Sequence, residues 1–436
     1  MYLKNLQTTT GRSPEKMSNS SNTKFFNSKG SRLSIAAFLL LIIPLIVGCE
    51  SPGSVGEGLG PDGSSVTTDE YSVTDFTPVE ENFFSGRLSN SAMGYFEDPL
   101  YGTVNAVAVI KPVISTSAVD TLVEGDRMTL RMVFNPSIYG DELSVSDYEI
   151  FELSEQWRGN ELKYNEAAPI DFSSKVAEFQ VADEDTVEVE LSSEWVEKYS
   201  TYFNSNDANR DSLYTREFTG LAIVPAETNS RVRFLRHTPA DPEEDPDITE
   251  FNVYTTEFDE EEEQDVEVVN SLALRDWGAY VVRSDEPEYN SGYVLHNVDR
   301  LMEVNLDLPT EELQSKNIVN ASLIFSIDRS DEQLNSSITR PDIETIRAHT
   351  FSTPPADLIS EIFVTPPRFG ADINEDEDLF KVDVTQYVLD TTYGDVNAAP
   401  LYFSVQAVDG ILYSIKLHDN AAAQDLQPRL IITSVE

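Results

Sequence analysis

Hydrophobic and polar positions alternate at period two through most of this chain after residue 70. Met128-Thr-Leu-Arg-Met-Val-Phe134 alternates in this way. So does Thr186-Val-Glu-Val-Glu-Leu191, where Val187, Val189 and Leu191 are separated by acids. One buried and one solvated face per strand is the physical reading. Gly, Pro, Asn and Asp clusters punctuate the runs, as turns between strands require. Helical spacing is confined to short stretches at 193–199 and 356–362. The pattern predicts an all-β protein.

The runs also come in a repeated order. In the second half, segments at 320–326, 344–351, 379–389, 401–406 and 428–434 follow one another. In the first half, 127–134, 147–153, 185–196, 221–224 and 248–254 follow in parallel. The third member of each set runs from a strand into a short helix. Between the halves lies Glu257-Phe-Asp-Glu-Glu-Glu-Glu-Gln-Asp-Val266, a block of like charge that reads as a linker. The expected organisation is two tandem antiparallel, jelly-roll-like β-sandwiches, 71–256 and 269–436, joined by an acidic linker at 257–268.

Residues 1–70 lack this texture. The run 33–48 is apolar, too short to span a bilayer comfortably, and preceded by basic residues, as in a signal peptide. It ends Ile46-Val47-Gly48-Cys49, which resembles the lipobox of bacterial lipoproteins. That resemblance implies cleavage between Gly48 and Cys49 and lipidation of the Cys49 sulfur. Residues 1–48 are therefore expected to be a signal peptide, and the Gly/Ser/Pro-rich stretch 49–70 a flexible tether. Met17 would open a signal peptide of more usual length than Met1 does.

Charge and cysteine count narrow the function. The formal net charge is −47, and the basic leader accounts for a net +5, leaving about −52 on the remainder. Such a surface repels nucleic-acid phosphate and anionic lipid, so no nucleic-acid partner is expected and membrane attachment rests on the lipid. The chain has one Cys, so intrachain disulfides and multi-thiolate zinc sites are excluded.

Met93-Gly-Tyr-Phe-Glu-Asp-Pro-Leu-Tyr-Gly102 resembles a hallmark of the Bacteroidota lipoprotein family called domain of unknown function 4270, with Gly94, Phe96, Asp98, Pro99, Tyr101 and Gly102 supplying the motif. The resemblance runs over most of the mature chain and implies location and fold more than an activity; Glu50 after the cysteine, where inner-membrane retention has Asp, points to the outer membrane. Physically the segment reads as a turn before a strand at 104–111. The second half also resembles jelly-roll modules of secreted carbohydrate-active proteins, through 321–325, 382–388 and 428–430.

The common catalytic signatures are missing from the sequence. The four histidines, His237, His296, His349 and His418, form no His-Glu-x-x-His pair, and no Gly-x-Ser-x-Gly elbow occurs. Two segments have the Asp-x-Asn-x-Asp spacing of calcium loops: Asp207, Asn209 and Asp211, and Asp372, Asn374 and Asp376. Their sixth positions are Ser212 and Glu377 where a calcium loop has Gly, so an Asx-rich turn is the competing reading. Calcium is the one cofactor these residues suggest. Trp157, Trp195, Trp277, Tyr280 and Tyr293 could stack on sugars or simply pack a core. The expected function is a non-enzymatic, lipid-anchored binding or structural module of the cell envelope, glycan-directed. The alternative is an accessory subunit of an outer-membrane secretion or uptake complex that docks a protein partner.

Overall fold

A computed structural model describes residues 65–114, 119, 121–259, 264–288, 291–330, 337–374, 377–394, 398–405 and 409–435. Gly48, Cys49 and Asp376 lie outside the described residues. The protein is all-β, built from large antiparallel sheets. Its strands run β1 (Val66–Ser72), β2 (Asp75–Glu80), β3 (Asn90–Asp98), β4 (Gly102–Pro112), β5 (Arg127–Val133), β6 (Tyr139–Gly140), β7 (Ser146–Leu153), β8 (Ile170–Val181), β9 (Thr186–Glu190), β10 (Leu221–Pro225), β11 (Arg231–Arg236) and β12 (Glu250–Asp259). They continue as β13 (Gln264–Leu272), β14 (Leu274–Ser284), β15 (Tyr293–His296), β16 (Arg300–Asn305), β17 (Asn317–Ser326), β18 (Thr345–Thr350), β19 (Phe369–Asn374), β20 (Leu379–Asp383), β21 (Leu401–Val405), β22 (Ser414–Leu417) and β23 (Arg429–Val435). Among the described residues five α-helices interrupt them: α1 (Ser193–Phe203), α2 (Arg210–Glu217), α3 (Thr310–Leu313), α4 (Leu358–Val364) and α5 (Thr385–Tyr393).

The strand pairing is a duplicated plan. The first half orders β11-β3-β4-β10-β7-β8 in one sheet and β12-β5-β9 in another. The second half runs β22-β15-β16-β21-β18-β19-β20-β17-β23. Strand for strand these correspond, and α1 after β9 answers to α5 after β20. The same residue patterning produces both: in β5 and in β17 alternate apolar side chains enter a sandwich core. The first core gathers Met128, Leu130, Ile150 and Leu221, and the second gathers Leu323, Ile346, Phe380 and Leu401.

The halves are not tandem, however. By pairing, β1 adds to β23 and β2 adds to β16, both in the second half. Correspondingly, β13 adds to β12 and β14 adds to β4, both in the first. One module is thus 90–284, and the other is 293–435 completed by 66–80 at the opposite end of the chain. Ser65–Glu436 accordingly forms a single compact unit.

Three expected boundaries move for this reason. Val66–Glu70, expected in the tether, is strand in β1, with Thr67, Asp69 and Tyr71 turned partly inward. The 257–268 segment does not link two domains. Its described residues belong to two paired strands, β12 and β13, in which Asp259 faces Gln264 and Glu257 faces Val266. In β13 Asp265 and Glu267 are exposed, and Val266, Val268 and Leu272 share the other face. The division between 71–256 and 269–436 is crossed by four strand pairings, so neither range closes its own sheets.

A third apolar cluster seals the modules together. Phe96, Val104, Val232 and Val281 on the outer face of the first module's sheet meet Val298, Ile411 and Leu412 of the second. β4 is therefore buried on both faces, which explains its nearly continuous apolar run.

Candidate functional site

The Gly94–Gly102 motif lies in this seam and acts structurally. Gly94 (φ 146°) brings β3 so close to β11 that a Cβ would sit 2.3 Å from the Arg231 carbonyl oxygen. Gly102 (φ 80°) similarly faces the Ser284 carbonyl at 2.6 Å. Between them the fully buried Asp98 accepts hydrogen bonds from the backbone N–H groups of Leu100 (2.7 Å) and Tyr101 (3.2 Å) and from Tyr139 Oη (2.8 Å). Arg340 of the second module closes on it through Nε and Nη2, each at 2.8 Å. Burial pushes the Asp98 carboxyl up, but these donors prevail and hold it below the usual carboxylate range. Phe96 packs edge-on against Tyr139 at 5.5 Å. Pro99 has a share in the same turn.

His296, also in the seam, has Nε2 3.2 Å from Glu286 Oε1 and Nδ1 3.2 Å from Asp299 Oδ1. Arg300 donates to Glu286 Oε2 at 2.7 Å. Burial lowers the His296 pKa to about 3, so the ring is neutral near pH 7. Glu286 is opposed by burial yet held down to about 2 by His296 and Arg300. The ring is wholly buried, and among the described residues no hydroxyl or thiol hydrogen-bonds to it. A carboxylate–histidine pair with no accessible nucleophile is a clamp rather than a catalytic relay.

The calcium-like segments fall on different elements, the first on the entry to α2 and the described part of the second on the end of β19. Asp207 Oδ1 accepts the Asn209 N–H at 2.7 Å, which leads the chain into α2, and Asp211 lies in that helix's first turn. Asp372 Oδ1 accepts from Thr345 Oγ1 (2.8 Å), and Asn374 donates to Glu377 (2.9 Å). Among the described residues no three His, Cys, Asp or Glu side chains converge as a metal site. Trp195 is buried against Tyr199 and Phe251 and offers no platform, while Trp277 is half-buried and donates Nε1–H to the Leu88 carbonyl.

A different place has the features of a ligand site: a cleft of about 640 Å³ on the first module, within the roughly 300–1,000 Å³ usual for ligand clefts. Three elements build it. The loop after β7 supplies Gln156, Trp157, Arg158 and Glu161. It is pinned by Trp157 Nε1–H to the Thr219 carbonyl (2.8 Å) and by Gly159 N–H to Asp276 Oδ1 (3.2 Å). Helix α2 supplies Asp211, Ser212, Thr215 and Arg216. This helix has one buried side chain, Tyr214, whose hydroxyl donates to the Pro112 carbonyl at 2.6 Å and sets the helix rotation. The start of β14 supplies Arg275.

Arg275 stands at a β-bulge. Leu274 pairs with Pro112 and Asp276 pairs with Lys111, which leaves Arg275 as the extra residue. A bulge bends the strand and re-aims the side chain it carries. Here the guanidinium donates to Thr215 Oγ1 at 2.7 Å and lies 5.5 Å from the Tyr214 ring.

Beneath the cleft is Lys111, 2% exposed. Its Nζ is 3.5 Å from Gln156 Oε1 and from the Tyr214 carbonyl, and 4.8 Å from the Tyr214 ring. Asp276 faces Lys111 in register, but its Oδ1 is engaged by Arg87 (2.8 and 3.0 Å) and by Gly159. Among the described residues neither Lys111 nor Arg275 has a carboxylate ion pair. Burial, and then Arg275 nearby, lower the Lys111 pKa to about 8. No sequence motif marked this site. Its signals were Trp157, read from the sequence as sugar-stacking or core packing and found in the lining, and an isolated Lys ending an apolar run, Val-Ala-Val-Ile-Lys111.

No protein-family model matches the chain, and no curated protein matches it. Among the described residues no helix is long and apolar enough to cross a membrane.

Proposed function

We propose that this protein is an exported, lipid-anchored binding module of the cell envelope that takes its ligand in the cleft of the first module. The observation that carries this reading is the placement of Lys111 and Arg275. In a chain with 30 basic and 77 acidic residues, two cations without carboxylate partners converge at one cleft. Burying an ammonium costs several kcal/mol unless something compensates. A fold that keeps such a group beneath an open cleft is consistent with a ligand supplying the missing charge.

The second module provides the contrast that supports this. Ile110 pairs with Leu221 at the start of β10, and Val304 pairs with Leu401 at the start of β21. The next residues, Lys111 and Asn305, therefore occupy equivalent places. The α2 insertion between α1 and β10 has no counterpart among the described residues between α5 and β21. The cationic cleft is an addition to a duplicated frame, as a binding site grafted on a scaffold would be.

The lipid anchor rests on the Gly48-Cys49 junction and on the family-like motif. Cys49→Ser is expected to leave an unprocessed, unlipidated precursor that no longer partitions with outer-membrane fractions. Normal processing and membrane fractionation of that variant would refute the anchor. For the cleft, calorimetric titration of the mature protein with an oligosaccharide panel should give heats that Lys111→Met and Arg275→Gln reduce. Heats unaffected by either variant would place the ligand elsewhere.

A further inference from the structure

Resting on the reading of the cleft as a binding site, we infer that its ligand is an acidic saccharide, with a sugar carboxylate lodged against Arg275 above Lys111. The charge argument comes first. Arg275 is already held in place by Thr215, so its remaining donors are pre-aimed, and a planar guanidinium matches a carboxylate in bidentate fashion. Lys111, 2% exposed, sits behind the lining residue Gln156, with its Nζ 3.5 Å from Gln156 Oε1 and 4.8 and 5.8 Å from the Tyr214 and Phe218 rings, and adds a fixed positive potential in low-dielectric surroundings.

The rest of the lining argues for a sugar body rather than a compact polyanion. Glu161 and Asp211 also face the cleft. They would repel phosphate groups, whereas they accept hydrogen bonds from sugar hydroxyls. Ser212, Thr215 and Gln156 add neutral donors and acceptors of the kind that hydroxyl-rich ligands need. The outer arginines are partly neutralised: Arg158 lies 3.5 Å from Glu161, and Arg216 lies 2.9 Å from Glu217. Net attraction is therefore concentrated at one point, Arg275 over Lys111, which suits one carboxylate on an otherwise neutral ring. The cleft volume exceeds what a lone carboxylate would occupy.

The test compares one shape with and without charge. The full mature chain is titrated with trigalacturonic acid, with its fully methyl-esterified form, and with inorganic phosphate. Trigalacturonic acid is expected to bind at least about tenfold more tightly than the ester, and phosphate to compete poorly. Lys111→Met and Arg275→Gln should each erase most of that preference. The Arg275 variant alters a partly exposed side chain, so it tests the site even if the core variant folds poorly. Equal binding of acid and ester overturns the ligand class while leaving the binding reading intact. Displacement of the acid by equimolar phosphate overturns it in favour of a simple anion site. Absence of binding by all three probes refutes both.

Discussion

The two modules share a pairing plan but differ in what fills its equivalent positions. Where the first has Lys111, a bulged Arg275 and the α2 insertion, the second has Asn305, whose Nδ2 donates to Glu303 (3.2 Å), and the regular pairing of Asp75 with that same residue. The second module is correspondingly more continuous. Its β19 and β20 pair directly and join all its strands into one sheet, whereas β8 and β9 leave the first module in two sheets. The difference is local. In one copy the strand ends in regular pairing. The other is opened at a strand end and a helix insertion, where backbone pairing no longer constrains the side chains.

The comparison also shows that neither copy stands alone, and the most severe test removes what they exchange. Deleting 65–80 strips β23 and β16 of one partner each, β1 and β2, and leaves the groups that faced them without strand partners. The shortened chain is expected to lose the cooperative unfolding of the second module and to aggregate, as read by differential scanning calorimetry and light scattering. A single unchanged transition would show that the exchange is incidental.

The seam comes next. Asp98→Ala leaves Arg340 buried without its carboxylate and removes acceptors for Tyr139 and two backbone N–H groups. A loss of about 3–5 kcal/mol in urea unfolding is expected. If the modules then melt separately, Asp98 couples them; if stability is unchanged, the family-like motif is not a clamp.

The seam is also acid-sensitive, and the sign follows from two depressed groups. His296 in the folded state protonates only near pH 3, whereas the unfolded chain takes up that proton near its ordinary 6.5. Stability therefore falls as pH drops from 6.5 toward 3. Glu286, held to about 2, adds stability above its ordinary 4.5 that is lost between 4.5 and 2. Thermal unfolding from pH 7 to 3 should show a monotonic fall, and His296→Gln should flatten its upper part. A flat wild-type profile would contradict the buried clamp.

The smallest effect separates the modules at the level of one residue. Lys111→Met removes a buried cation and should raise stability by about 1 kcal/mol at pH 7. Lys111 has a folded pKa of about 8, below its ordinary 10.5. Wild-type stability therefore rises between pH 8 and 10.5, and the gap to the variant should narrow over that range. Asn305→Met at the equivalent place should show no such pH dependence. Identical behaviour of the two variants would remove the distinction.

What the amino-acid sequence determined by itself was local. Period-two alternation in 128–134 and 186–191 specified strands, and the ordered recurrence of such runs specified a duplicated plan, because side-chain direction in a strand is fixed by the neighbouring peptide geometry. Trp195, Val196 and Tyr199 likewise marked α1 over 193–199, and the folded helix runs on to Phe203. What only the tertiary structure decided was long-range: that β1 and β2 complete the module at the far end of the chain, that Asp98 meets Arg340, and that Lys111, Thr215 and Arg275 meet at one cleft. Pairings across hundreds of residues depend on which sheet edge is free and on how cores close, and neither is encoded in a local period. An acid block looked like a linker because charge cannot be buried, yet a strand pair with a solvated face asks for no such burial. The cleft was hard to see for a related reason: a lysine that ends an apolar run reads as a strand terminus until the fold shows that, among the described residues, no carboxylate forms an ion pair with it.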